Sequence, residues 1–184
     1  MVDALLEFYA EGEVHPGGAR IAERAGISER SLFRHFDDLE ELAAAAIERH
    51  AARVAPLFAA PPAGADRSER IALLVDQRLR LHDGVMAVAR AGAYVAARSP
   101  TVAAALDGRR RYLRRQALEH LAPDLDGLEG STRVEVEHAV DAATSLEAVE
   151  YLRGITGLSP AAAGATMARL LGAVLAASQV SERT

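Results

Sequence analysis

Cysteine, lysine and tryptophan are absent from this chain of 184 residues, and aromatic residues make up only 4% of it. Without cysteine there are no disulfides and no thiolate metal ligands, so a reducing cytoplasm is the expected setting. Strand signals are as scarce: β-branched runs are few, and no useful length alternates polar with apolar residues. The longest apolar runs, such as Leu170 to Ala177, fall far short of a bilayer span. No basic start leads into an apolar stretch and a small-residue cleavage site, so neither a membrane partner nor a secretory signal is expected. Catalytic signatures are missing too: there is no GxSxG, no glycine-rich phosphate loop and no HExxH. His120 and His138 fall on different helices without ligand-pair spacing. No catalytic residue, cofactor or metal site is assigned, and the expectation is a protein that is not an enzyme.

What is present is an ordinary globular balance. Half of the residues are apolar, 26% are charged, and the mean hydropathy is +0.03. All 21 basic residues are arginine, and the formal net charge is −5. The surplus of acid is local: residues 1–60 hold six Arg against eleven Asp plus Glu, while the remaining 124 hold 15 of each. Affinity for nucleic acid rests on cations that neutralise phosphates, so bulk charge argues against a nucleic-acid partner unless particular arginines are set aside for it.

Helix punctuation is abundant. Gly26 ends one pattern and Ser28 caps the next. Asp38 with Glu41 has capping-box spacing at the start of a helix over Leu39 to Arg53, and Asp66 with Glu69 repeats it. Pro56 and the Pro61-Pro62-Ala63-Gly64 stretch mark a linker near residue 60. Ser99-Pro100 and Ser159-Pro160 each place a cap before proline at the first helical position. The spacing predicts one helix from Ser68 to His82 and another carrying Met86, Arg90 and Tyr94. It predicts a further one from Thr132 to Arg153, stopped by Gly157. The fold class is all-α, with about nine helices.

Residues 19–36 carry the functional signal. Ile21, Ala22 and Ala25 form one apolar face, and Gly26 supplies the positive φ of a sharp turn. Ile27 fills the angle between two helices, and Ser28 caps the second. Leu32 and Phe36, four apart, face inward, leaving Glu29, Arg30, Ser31, Arg34 and His35 outward. That is the layout of a helix-turn-helix, whose second helix lies in the major groove of DNA.

The run Ile21-Ala22-Glu23-Arg24-Ala25-Gly26-Ile27-Ser28, followed by Ser31-Leu32-Phe33-Arg34-His35-Phe36 and Leu42, resembles the DNA-binding signature of the tetracycline-repressor (TetR) family. Leu6 to Gly12 is similar to the end of that family's first helix, and Glu150 to Arg153 through Gly157-Leu158-Ser159-Pro160 into a small-residue helix is similar to its last two helices. The resemblance implies a DNA-binding domain over residues 1–50, with a helix over about 39–60 as connection. A helical ligand-binding and dimerisation domain over 51–184 then follows. It implies a DNA-facing set of Arg30, Ser31, Phe33, Arg34 and His35, with His35 on a backbone phosphate. Arginine grips guanine bidentately, which singles out Arg30 and Arg34 for base contacts. Phe33 stands where the family usually has tyrosine, Leu39 where it usually has lysine, and Gly17-Gly18 where Thr-Val is common; each departure removes a phosphate or capping group. The sequence begins within the first helix, without the basic arm many members carry.

The implied function is a ligand-responsive transcriptional regulator, a repressor on a near-palindromic double-stranded DNA operator. The implied partners are that operator, a small-molecule effector and a second copy of the chain. The alternative is a helical small-molecule-binding or scaffold protein whose headpiece has weak or no DNA affinity. Met86, Arg90 and Tyr94 at i+4 steps either line a ligand cavity or pack with a snorkelling arginine. Arg110, Arg111, Arg114 and Arg115 read as a solvated face. Arg109 falls toward the apolar side and calls for Asp141, Glu147 or an anionic ligand. Met167, Leu170, Leu171, Val174 and Leu175, beside small Gly164, Gly172 and Ala176, mark the last helix. Together with residues 132–153 it is the expected dimer contact, about 160–178 pairing with its copy in a four-helix bundle.

Overall fold

A computed structural model describes residues 1–181, and the described residues form ten α-helices with no strand. They fall into two compact units: Met1–Pro56 with Gly84–Arg110, and Leu57–Asp83 with the described residues from Arg111 onward.

The first unit holds α1 (Val2–Ala10), α2 (Gly18–Arg24), α3 (Glu29–Leu32) and α4 (Leu39–Val54). It also takes the end of α5 (Arg67–Ala96) and the start of α6 (Pro100–His120). Its core joins Leu5, Leu6, Phe8 and Tyr9 to Ile21, Ala22, Leu32, Leu42, Ala46 and Ile47, with Val88, Val102 and Leu106 completing it. The caps are where the residue types place them. Asp38 accepts from the amides of Glu40 and Glu41, and Glu41 returns the bond to the Asp37 amide at 2.7 Å. Asp66 and Glu69 make the reciprocal pair at the start of α5, at 2.8 and 2.9 Å.

The second unit contains α7 (Ala122–Leu125), α8 (Gly130–Thr144), α9 (Leu146–Glu150), a π-helical turn (Tyr151–Ile155) and α10 (Pro160–Ser181). Its core sets Ile71, Leu74 and Val75 of α5 against Leu121, Leu125, Val136, Val140 and Val149. Ala163, Met167, Leu171 and Leu175, four apart, are the buried side of α10. Arg67 and Arg70 both bond the buried Asp124 carboxylate, at 2.8–2.9 Å. Burial opposes ionisation of Asp124 most strongly, but the two guanidinium groups together outweigh it and hold its pKa below the ordinary value.

Two helix boundaries differ from the sequence expectation. The sequence divides a helix from Ser68 to His82 from a next one carrying Met86, yet α5 runs unbroken through Gly84 for 30 residues. One glycine costs a helix interior roughly 0.5–1 kcal/mol, which is too little to interrupt it. The Gly84 carbonyl also accepts a bond from His50 Nε2 at 3.0 Å. Conversely, the helix expected over 132–153 is cut at Ser145, whose backbone is extended (ψ 153) and whose hydroxyl caps α9 through the Ala148 amide. The cut exposes the Thr144 carbonyl, and Arg78 answers it. This arginine is 0% exposed; its Nε donates to Thr144 at 2.9 Å and its Nη2 to Leu113 at 3.0 Å. Burial pulls the Arg78 pKa down to about 10 against the opposing charge of Asp141.

Two histidines make the fold sensitive to acid. Burial is the main reason that His50 and His120 have pKa values below the ordinary 6.5, with nearby arginines adding to it. As pH falls below 6.5 the unfolded chain takes up protons on these rings before the folded chain does. Their contribution is therefore complete above that value and is lost as pH falls through the depressed ones. The melting temperature should drop between about pH 7.5 and about pH 5. Replacing both rings (His50→Gln with His120→Gln) should flatten the dependence; an unchanged slope would contradict this assignment.

Candidate nucleic-acid interface

The turn between α2 and α3 follows from three residues. Gly26 takes φ +68, a conformation that side chains with a Cβ rarely adopt. The Ile27 amide bonds back to the Ala22 carbonyl at 3.0 Å, and half-buried Ile27 packs on the core. The Ser28 hydroxyl then accepts from the Ser31 amide at 3.1 Å. The helix that follows is a single turn, and Leu32, with 0% exposure, pins it to α1, α2 and α4.

With Leu32 inside, the opposite face is fixed. Arg30, Arg34 and His35 are exposed, Phe33 is 41% exposed, and Ser31 is half-buried with its hydroxyl 2.9 Å from that of Ser28. His35 Nδ1 donates to the Ser31 carbonyl at 2.9 Å, which leaves Nε2 for the outside. A bond from Nε2 to a phosphate requires the doubly protonated ring. All five residues expected to face DNA therefore stand on one short stretch of surface, Ser31 partly engaged in the cap.

The charge problem resolves residue by residue. Of the six arginines in residues 1–60, Arg20 pairs with Glu13, Arg24 with Glu11, and Arg49 and Arg53 both with Asp3. Arg24 also lies 3.5 Å above the Phe8 ring. Arg30 and Arg34 have no ion-pair or hydrogen-bond partner among the described residues. Four of the acids, Asp37, Asp38, Glu40 and Glu41, cluster at the amino end of α4, where carboxylates offset the helix dipole. The headpiece is acidic in sum but leaves two cations available on a single surface.

Two of the unusual residues are coupled. A Cβ on Gly18 would lie 3.0 Å from Phe33 Cζ and 3.0 Å from a Glu29 carboxylate oxygen. The Phe33 ring thus rests against a bare backbone at the start of α2, where the Gly17 cap supplies no side-chain bond. Sequence reasoning registers Gly17-Gly18 only as a missing hydroxyl; the ring that uses the space lies 15 positions away. The proposed ligand residues stand elsewhere in the first unit. Met86, Arg90 and Tyr94 share one face of α5, half-buried, exposed and exposed in turn, and Tyr94 lies 6.1 Å from the His15 ring. Arg109, on α6, is half-buried. Arg114 departs from the solvated face expected of it, reaching His138 at 3.1 Å and Asp141 at 3.5 Å.

Residues 18–46 match the model of a family described as bacterial regulatory proteins, tetR family. A transcriptional regulator from Rhodococcus sp. Rha1 superposes with a TM-score of 0.69 at 18% sequence identity. The superposition covers 96% of this chain and 94% of that one, and at such identity it speaks to the fold. No curated protein matches the chain.

The inner and outer sides of α3 should answer differently to substitution. Leu32→Ala should cost about 2–5 kcal/mol in denaturant unfolding. Gly18→Ala should change stability by only about 0.5 kcal/mol, because the Phe33 ring can swing outward. It should nonetheless abolish the ring-current shift of the residue 18 protons. A retained shift, or a large stability loss, would count against the packing described.

Proposed function

We propose that the chain is a DNA-binding transcriptional regulator of the kind that its match to the tetR family over residues 18–46 suggests, and that it represses from a near-palindromic operator as a homodimer under small-molecule control. The observation that carries this reading is the pair of unpartnered arginines, Arg30 on the outer face of α3 and Arg34 in the turn that follows it. Both are suited to guanine edges, each good bidentate grip contributing about 1–3 kcal/mol of discrimination. Phe33 packs against the sugar–phosphate surface, and His35 and Ser31 meet phosphates. The amino end of α4 is closed by its own carboxylates, which puts more of the phosphate load on the arginines.

The dimer reading rests on α8 and α10. Along α10, Ala161, Ala165, Arg169, Ala173 and Ala177 are exposed beside Leu170 at 49%, and Val134 of α8 is 52% exposed. The window Pro160–Ala177 has a mean hydropathy of 1.4, long and apolar enough by composition to cross a membrane, with 22% of it buried. Small residues along such a face let a second helix approach closely. Two copies joined there form a four-helix bundle and carry two recognition helices to successive major grooves, roughly 34–36 Å apart or a multiple of it. A ligand in the helical domain shifts the population toward a spacing that no longer fits.

The acidic surplus of residues 1–60 favours a second reading, a ligand-binding protein with a headpiece of weak DNA affinity. Electrophoretic mobility shifts on the protein's own upstream DNA, across a salt series, separate the two. A specific complex should form and weaken steeply with salt. Arg34→Ala should abolish it while sedimentation still shows a dimer, whereas Leu170→Glu should yield monomers. Full DNA affinity in Arg34→Ala overturns the proposed interface, and no complex at any salt favours the second reading.

A further inference from the structure

On α6, Tyr112, Gln116 and His120 follow one another at four-residue steps and so share a face of the helix. That face meets Phe58, Ala60 and Pro61 across a cleft of about 210 Å³. The Phe58 and Tyr112 rings stand edge to face, 5.4 Å between centroids.

Two polar side chains of the lining, His120 and Gln116, have their donors spent and an acceptor unused. His120 is 2% exposed, and its Nε2 donates to the Arg70 carbonyl at 3.0 Å. That bond fixes the tautomer and leaves Nδ1 as a bare lone pair, which has no partner. Gln116 shows the same pattern. Its amide nitrogen donates to Gln77 Oε1 at 3.0 Å, and the Gln77 nitrogen donates in turn to the Ala59 carbonyl at 2.6 Å. The relay sets the orientation of the Gln116 amide, and its buried Oε1 also has no partner. Buried polar atoms are ordinarily satisfied. Two orphan acceptors one helical turn apart, in a cleft with aromatic walls, describe a site that lacks its ligand's donors.

Charge narrows the ligand further. Arg78, buried and hydrogen-bonded to carbonyl oxygens with no carboxylate bonded to it, carries a positive charge that reaches His120. A cation is therefore disfavoured. An anion would press its own lone pairs against those of Gln116 and His120. The rim carboxylate of Glu119 faces Arg115 at 3.9 Å and adds a further obstacle to anions. In size, a cavity of about 150 Å³ holds a benzene ring, so this cleft fits one ring with small substituents.

We propose that the cleft between the 58–61 segment and the Tyr112–Gln116–His120 face binds a neutral single-ring molecule bearing two adjacent O–H or N–H donors, of the catechol type. The donors go to Gln116 Oε1 and His120 Nδ1, and the ring lies against the Phe58–Tyr112 aromatic pair. Resting on the ligand-controlled reading above, such a molecule is the effector.

The test titrates the full-length protein, without DNA, with catechol and with 1,2-dimethoxybenzene, which keeps the ring and oxygens but has no donor. Calorimetry should show catechol binding at least about tenfold tighter, the equivalent of one buried hydrogen bond. Nitrogen NMR should show the His120 Nδ1 resonance moving as it accepts a bond. Gln116→Met should weaken catechol by about tenfold and leave the dimethoxy compound unaffected. Equal binding of the two probes, or no catechol binding at millimolar concentration, overturns the site whatever the variant does. Repeating the titration on the protein–DNA complex separates the two claims. Binding to free protein with unchanged DNA affinity upholds the cleft and overturns ligand control, whereas catechol-dependent release upholds both.

Discussion

A one-turn helix cannot hold its own shape in water, because nucleating it fixes several backbone dihedrals for very few hydrogen bonds. α3 exists because Leu32 is wholly buried among α1, α2 and α4. Everything said of the DNA-facing surface depends on that anchor. With Leu32 inside and half-buried Phe36 packed on the same core one turn on, the helix has a single rotational setting, and in it Arg30 and Arg34 point outward. Gly26 and Ser28 set the angle of entry, but they do not choose the face.

The distribution of charge follows the same logic. An acidic headpiece opposes approach to a polyanion over distances of about a Debye length, roughly 8–10 Å at ordinary salt. Recognition is decided at shorter range. There the pairing of Arg20, Arg24, Arg49 and Arg53 with carboxylates uses up the other cations and leaves Arg30 and Arg34. Exposed pairs of this kind contribute at most about 1 kcal/mol each to stability. Their consequence is that the free positive charge is concentrated on one face.

Much of this was legible in the sequence because its signals are local. The Gly26 turn, the Ser28, Asp38 and Asp66 caps and the inward Leu32–Phe36 pair are each written within four residues. What was not legible depends on partners far along the chain. The division expected between a helix ending at His82 and one carrying Met86 disappears because a single glycine is a weak breaker, and His50 bonds the Gly84 carbonyl from far along the chain. Ser145 cuts an apparently continuous pattern, and the freed Thr144 carbonyl is tolerable because Arg78 reaches it from α5. Gly18 reads in sequence only as part of a missing capping pair until the Phe33 ring is seen lying against it. The acceptor pair on α6 is likewise invisible: Gln116 and His120 become orphan lone pairs only because Gln77 and the Arg70 carbonyl occupy their donors.

Arginine-specific modification with phenylglyoxal, with and without bound DNA, identifies the guanidinium groups that enter the groove. In the free protein Arg30 and Arg34 should be among the fastest-reacting guanidinium groups, being exposed and unpaired, while Arg24, stacked on Phe8 and paired with Glu11, should lag. On the DNA fragment that the protein shifts, Arg30 and Arg34 should become protected and the remaining headpiece arginines should keep their rates. If those two react equally fast in the complex while another set is shielded, α3 is not the element that enters the groove.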